Sequence, residues 1–367
     1  MRVATFNLYN YAEPGTIYYG RQRNTYDAET DWAPKHAWMQ EIFRTADADV
    51  IGFQEVFSVD TLRAFCKQEG YDHFATVETT KLDDDNSFWR PINAIASRFP
   101  FEIEPLPFLP AMAAPLDAMR EALGIERDEE LDGPVERGYS RLPVCARVQT
   151  PDLGEVTVLV LHLKSKRPMT RDIKYSSDIK IWEQVRDTMA HRSAGMIGSM
   201  LQRGAEAAAI HAAVSGMLRE NWLRPIIVLG DINDTLGSVT IDAIQKSSRR
   251  FFDFNGSEAP ELLSSANRNR WTYRIYDAFH QAGGIDPRPA TLYFDRQPQV
   301  IDYIWVSNVL RFDPKNRRAV GGVNSYRAID AHLGPNKSTD QKRRSSDHAI
   351  IVAEILPVDS LMEAPQV

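Results

Sequence analysis

Cysteine is scarce in this chain of 367 residues: there are two, Cys66 and Cys145. Two thiols build neither a disulfide framework nor a cysteine-type zinc site, so both are expected as small buried apolar residues. No apolar run approaches the about 18 residues of a membrane-spanning helix. No histidine pair has the close helical spacing of an HExxH zinc site. A leader is also missing: MRVATFNLYN passes from Met1 straight into a strand-like pattern, so a cytoplasmic protein without membrane association is expected. With a net charge of −7, bulk electrostatics do not draw the chain to polyanions. There is no internal repeat and no evident obligate protein partner.

What is present is an ordinary globular composition, 43% apolar and 25% charged. Strand-like stretches recur: RVATFNL, DVIGFQEV, INAIASRF, RLPVCARVQT, EVTVLVLHL, PIIVLGD, QVIDYIWVS and HAIIVAEIL. Several are apolar on both parities, as expected of strands covered on both faces. Helical patterns lie between some of them. WAPKHAWMQEIFRTAD places Trp38, Ile42 and Phe43 on one face, and SVDTLRAFCKQEG runs from a serine cap to Gly70. The stretch from Ser176 to Trp222 reads as two helices broken near Gly204. Strands that follow one another without a helix exclude a strictly alternating barrel and predict packed sheets flanked by helices, an α/β (α+β) class. One domain, 1–367, is expected, with insertions near 105–138, 249–270 and 313–345.

Charge is unevenly spread. Glu121–Glu136 carries seven acids and one base, and reads as a solvated face. Lys164–Arg171 carries four bases and no acid, and Arg311–Arg344 nine bases against three acids.

Polar residues gather where apolar runs end: Asn7, Glu55, His162 with Lys164, Asp231 with Asn233, and Asp347 with His348. Each alone reads as a turn residue satisfying local backbone. Asp302 is different, because a carboxylate inside VIDYIWV is costly without a partner. Converging on one sheet edge, the set suits hydrolysis at phosphorus. Glu55 and Asp347 offer oxygen ligands for a hard divalent ion. Asp231 can orient or deprotonate a water, and imidazoles backed by carboxylates can stabilise phosphoryl oxygens. Asp231 and Asn233, two apart, are expected on one face of the strand end, whereas Asp234 is out of phase and reads as a turn residue.

The blocks TFNL, DVIGFQEV, NAIASRFP, LHLKSK, LGDINDT, IDYIWVS and SSDHAII, in this order from Asn7 to His348, resemble the endonuclease/exonuclease/phosphatase superfamily. That resemblance implies a four-layer α/β/β/α sandwich of two mostly antiparallel sheets flanked by helices. It implies Glu55 as the principal metal carboxylate with Asn7 beside it and Asp347 assisting, and Mg²⁺ as cofactor, with Mn²⁺ able to substitute. Asp231 resembles the residue that activates the water, Asn233 a phosphate contact, His348 the histidine at the scissile phosphoryl group, and Asp302 its orienting carboxylate. His162 matches a deoxyribonuclease-like general acid. Asn93 stands in the block where a deoxyribonuclease carries that histidine's glutamate partner, so Asn93 and Lys164 are assigned to the substrate phosphate.

The wording GDINDT and VIDYIW differs from the GDxNYR and PAWCDR of inositol-polyphosphate 5-phosphatases. HLKSK with GDINDT looks most like bacterial nuclease-like members. The basic tracts then read as a rim for a nucleic-acid backbone, with Tyr9, Tyr11, Tyr18, Tyr19 and Trp89 as stacking candidates. A nuclease acting on DNA or RNA is the first expectation. A phosphatase or phosphodiesterase on a small or lipid-linked ester is the second, and a non-catalytic scaffold the third.

Overall fold

A computed structural model describes residues 1–80, 86–106, 138–169, 175–245, 270–313 and 318–363. The acidic segment 121–136 and most of the expected insertions 105–138 and 249–270 lie outside these residues.

Sixteen strands are described: β1 (Arg2–Tyr11), β2 (Ile17–Tyr18), β3 (Val50–Val56), β4 (His73–Ala75), β5 (Ser87–Phe88), β6 (Ile92–Ser97), β7 (Phe101–Ile103), β8 (Val144–Thr150), β9 (Gly154–His162), β10 (Ile226–Asp231), β11 (Ile275–Asp277), β12 (Leu292–Phe294), β13 (Gln297–Gln299), β14 (Asp302–Ser307), β15 (Gly321–Ile329) and β16 (Ile350–Pro357). Twelve of them form two six-stranded sheets, ordered β15-β16-β1-β3-β6-β4 and β11-β14-β10-β9-β8-β7. Each sheet has one parallel pairing, at its centre: β1 with β3, and β9 with β10. The other pairings are antiparallel. Parallel neighbours end at the same edge, so the polar residues that terminate them are delivered in pairs.

Side-chain alternation sorts the strands into layers. Val3, Val50, Ile95, Val158, Val160, Ile227, Leu229, Ile304, Ile351 and Ala353 form the core between the sheets. The opposite parity of the first sheet, including Phe6, Leu8, Ile51 and Phe53, packs on the helices Ala33–Ala46 and Val59–Gln68. The second sheet's outer face, including Leu159, Leu161, Ile226 and Val228, packs on the helices Ile181–Glu220 and Val239–Gln245. The four layers expected from the sequence are therefore present. Gly52 sits where the sheets touch: a Cβ there would lie 2.3 Å from Leu229 Cδ1 and 2.8 Å from Val160 Cγ2.

Three expectations change. The helix Ile181–Glu220 runs unbroken through Gly204, which has open space around it; one glycine costs about 1 kcal/mol in a helix, less than the packing of Ala207, Ile210, Val214 and Met217 contributes. The 313–345 stretch is not a simple insertion, because it supplies β15, paired with β16 from Gly321–Pro357 to Ile329–Ile350. Tyr11 and Tyr18 are packing residues, 0% and 5% exposed, and unavailable for stacking. Cys66 and Cys145 are buried as expected.

Candidate active site

The inward-facing series of five strands ends in polar groups. Asn7, Asn93, His162, Asp231 and Asp302 continue the parity of the inter-sheet core, and each is at most 3% exposed. Register brings three of them side by side: Asp231 lies opposite His162 on β9 and opposite Asp302 on β14. Gly230 allows the strand to end this way. Its φ is +146°, and a Cβ would fall 2.0 Å from the Leu161 carbonyl oxygen.

Asp231 is the hub. Its Oδ2 accepts from Asn7 Nδ2 at 3.1 Å, lies 3.5 Å from His162 Nε2 and 3.9 Å from His348 Nε2. Its Oδ1 accepts from the Asn233 N–H at 2.8 Å. Burial pushes this carboxyl well above the usual range; His348 and the Asn233 N–H oppose the shift, while Asp302 and Glu55 add to it. His348 is held from behind: Nδ1 donates to both oxygens of Asp302, at 2.9 and 3.1 Å. Burial disfavours its charged form, but Asp302 and then Asp231 outweigh this and raise its pKa well above the ordinary value. Asp302 thus has the partner its buried position requires. Its own N–H donates to Thr291 Oγ1 at 3.2 Å.

His162 is set differently. Burial, then the Arg141, His348 and Lys164 charges, lower its pKa well below the ordinary value, so the ring is neutral. Its Nδ1 is buried with no hydrogen-bond partner among the described residues, and so is Asn93 Oδ1. Asn93 Nδ2 donates to the Leu142 carbonyl at 2.9 Å. Among the described residues no carboxylate backs this imidazole in the way Asp302 backs His348.

Glu55 reaches the site through a backbone kink. Strict alternation would give it the parity of Phe53 and Ile51, towards the helices. A left-handed residue, φ +60°, and a register shift between Phe53 and Val56 re-aim it. Its Oε2 accepts from the Asn10 N–H at 2.8 Å. Among the described residues no Lys, Arg or His nitrogen forms an ion pair with it. Burial raises its pKa, and repulsion from Asp347 raises it further. Glu55, without an ion-pair partner and facing a second carboxylate in Asp347, offers oxygen donors that fit a hard divalent cation. The cluster Asp231, Asp302 and His348 also has metal-like spacing, but His348 Nδ1 and both Asp302 oxygens are already committed to each other. Asn7 stands between these groups, with Oδ1 accepting from the Tyr9 N–H and Nδ2 turned to Asp231.

Asn233 does not share a strand face with Asp231, because the strand stops at Asp231 and Asn233 is left-handed, φ +56°. It is tied in instead by the bond from its N–H to Asp231 and by Nδ2 donating to the Leu163 carbonyl at 3.0 Å. Asp234 is more than a turn residue: it accepts from Arg203 Nε at 3.2 Å and lies 3.5 Å from Lys166 Nζ.

The basic tract 311–344 divides. Lys342 lies 3.8 Å from Asp347, and Arg343 and Arg344 lie 3.7 and 3.9 Å from Asp31. Arg318, by contrast, stacks on Trp222 and Arg311 on Tyr276, because β15 carries its first residues to the sheet edge remote from His348.

Sequence reasoning missed two cations. Arg141 stands close enough to influence His162, Glu55 and Tyr19, and its Nη1 donates to the Leu163 carbonyl at 3.3 Å. Lys35 is fully buried behind Asp347, donating to the Ser345 carbonyl at 2.6 Å. Burial pulls its pKa down to about 7, against the pull of Asp347, Glu55 and Asp31. Only strand-end residues were legible as candidates, and neither cation ends a strand.

Acids, imidazoles and amides capping a two-sheet core, with cations around them, have the chemistry of a phosphoester hydrolase. The chain belongs to the endonuclease/exonuclease/phosphatase family, whose family model matches residues 4–348. No curated protein sequence matches it. Among solved structures it is similar to the human Nocturnin catalytic domain with bound sulfate, at 15% identity and TM-score 0.49, covering 98% of this chain and 94% of that one. It is also similar to a Bacteroides thetaiotaomicron mannosyl-6-phosphatase, at 15% identity and TM-score 0.48, covering 97% and 99%. A family protein from Beutenbergia cavernae shows 15% identity and TM-score 0.47, covering 97% and 71%. Among the described residues no helix is long and apolar enough to cross a membrane.

Proposed function

We propose that this protein is a Mg²⁺-dependent phosphodiesterase, with Mn²⁺ able to substitute, that cuts a nucleic-acid backbone by attack of water. The observation that carries this reading is the Asp231 carboxylate, within 3.9 Å of Asn7, His162 and His348 and beside the Glu55–Asp347 pair.

Asp231, with its raised pKa, accepts a proton from the attacking water near neutral pH. Asn7 orients that carboxylate. His348, kept protonated by Asp302, donates from Nε2 to a phosphoryl oxygen as negative charge grows there. His162, being neutral, also serves as a hydrogen-bond donor at the phosphate, and Lys164, Arg141 and Asn233 neutralise or hold the same group. Asn93 steadies the His162 side of the pocket. Glu55 and Asp347, with Asn7 beside them, hold the divalent ion, which when bound supplies Lewis-acid stabilisation of the phosphate.

Nucleic acid is favoured as substrate by the cations on two sides of the site. Lys164, Lys166 and Arg167 follow β9, Arg141 joins them through the Leu163 carbonyl, and Lys342–Arg344 precede Asp347. A single small phosphate needs fewer cations, whereas a backbone extends over several phosphates.

The test is a panel of plasmid, single-stranded DNA, RNA and a bis-phosphodiester, incubated with Mg²⁺ or Mn²⁺, with and without chelator. Chelator-sensitive cleavage of nucleic acid that weakens steeply with salt is expected. Turnover of the small ester alone would move the assignment to a small or lipid-linked substrate, and no turnover at all would leave a scaffold.

A further inference from the structure

The helix Ile181–Glu220 passes behind the phosphate side of the site, and two of its side chains, one turn apart, grip three loops. Glu206 is 1% exposed and Arg203 5%. One Glu206 oxygen accepts from the Ser140 N–H at 2.7 Å, from the Ser140 hydroxyl and from Gln202 Nε2 at 2.9 Å. The other accepts from the Lys164 N–H at 2.7 Å. Arg203 Nη1 donates to the Lys164 carbonyl at 3.1 Å, and its Nε to Asp234 at 3.2 Å. Lys164 is therefore held at both its N–H and its C=O by one helix face. Its neighbour Leu163 passes the constraint on, since the Leu163 carbonyl accepts from both Asn233 Nδ2 and Arg141 Nη1.

A carboxylate buried this deeply persists only where donors replace water. The same helix packs on the sheet through Ala207, Ile210 and Val214, so a leucine would serve packing at 206. What a leucine could not do is fix two loops that begin at Ser140 and Lys164. Neither Glu206 nor Arg203 has a polar contact with Glu55 or Asp347 among the described residues.

We infer that Glu206 and Arg203 are positioning residues, which hold Arg141, Lys164 and Asn233 in one register for the phosphate while leaving the metal carboxylates to the other sheet. The kinetic part rests on the phosphodiesterase reading; the structural part does not.

Glu206→Gln keeps the shape but turns one acceptor oxygen into an NH₂, which then faces a donor. Arg203→Lys keeps the charge and loses one of two bonds. Each variant is compared with wild type for kcat and KM on a bis-phosphodiester, for the Mg²⁺ concentration at half-saturation, and for hydrogen exchange of peptides covering 138–142 and 162–166. The expected result is kcat lower by about 10–100-fold, as for a small misplacement of reacting groups. Half-saturating Mg²⁺ should stay within about twofold of wild type, and exchange should quicken in both peptides. Unchanged kcat would overturn the inference, and so would a matching loss of metal affinity, which marks general destabilisation. If Glu206→Gln does not fold, Arg203→Lys decides. If the wild type hydrolyses no phosphoester, the functional reading has failed, and exchange alone decides: faster exchange supports the anchor and unchanged exchange overturns it.

Discussion

Replacing Asp302 by asparagine separates the chemistry of the His348 pair from its contribution to the fold. Asp302 is 1% exposed, and Asn has nearly its volume, so no cavity opens. The perturbation removes the charge that accepts from His348 Nδ1 at 2.9 and 3.1 Å. For stability, a charge-assisted bond becomes a neutral one, a loss of about 1–2 kcal/mol. The cost stays below the several kcal/mol of an orphaned buried charge because the imidazole sheds its proton. On a chain of this size that shifts Tm by no more than about 2–4 °C. For catalysis, burial is no longer outweighed, so the His348 pKa falls and the ring is neutral at pH 7. The asparagine NH₂ also turns to Nδ1 and selects the wrong tautomer. Loss of an orienting carboxylate costs about 10²–10⁴-fold in kcat. The assay is kcat and KM on a phosphodiester, with melting curves on the same preparation. A rate within about threefold of wild type, or a loss explained by the unfolded fraction, would refute the role of the pair.

Three further outcomes are expected. Glu55→Gln relieves the repulsion from Asp347, so the metal-free melting temperature should hold or rise, while the stabilisation that Mg²⁺ or Mn²⁺ gives the wild type disappears; an undiminished metal-induced shift in differential scanning fluorimetry contradicts the ligand assignment. Gly52→Ala forces a methyl group to 2.3 Å from Leu229, so unfolding in urea should show a loss of about 1–3 kcal/mol, and no loss would mean that the sheets do not touch there. The third concerns acid. His36, beside Tyr11, Trp32 and Phe65, has its pKa lowered from 6.5 to about 4 by burial and then by Lys35. A depressed imidazole contributes stability that is fully present above pH 6.5 and lost as pH falls towards 4, and solvent screening of this partly exposed ring keeps the loss to about 1 kcal/mol. His36→Gln should flatten that limb of the stability curve, and an unaltered slope argues against the shift.

Period-two patterning made much of the site legible before any coordinates. Asn7, Asp231 and Asp302 are in phase with the inward residues of their strands, and that phase follows from the sequence once the strands are recognised. The cost of an unpaired carboxylate inside VIDYIWV also foretold a partner for Asp302. What escaped depends on backbone irregularity or distant packing. Glu55 was legible as an acid at the end of an apolar run, but the left-handed kink that aims it at the pocket is signalled by no alternation rule. Asn233 was expected on a strand face, but the strand stops two residues earlier. Arg141, Lys35 and Glu206 are ordinary charged residues in sequence, and only tertiary packing brings them to the site. The long helix was read as two because Gly204 is a weak helix former, and packing on the sheet overrides that local preference.

The central claim is that Asp231, at the polar end of the inter-sheet core, handles the water. Its most direct test is the single-turnover rate of Asp231→Asn, at saturating Mg²⁺, on whichever phosphodiester the wild type cleaves. The substitution preserves shape and can retain the Asn233 N–H contact, so the melting temperature should stay close to that of wild type. The account predicts a rate lower by at least about 10²–10⁴-fold with metal binding retained. Hydrolysis near the wild-type rate by a folded Asp231→Asn protein would contradict it.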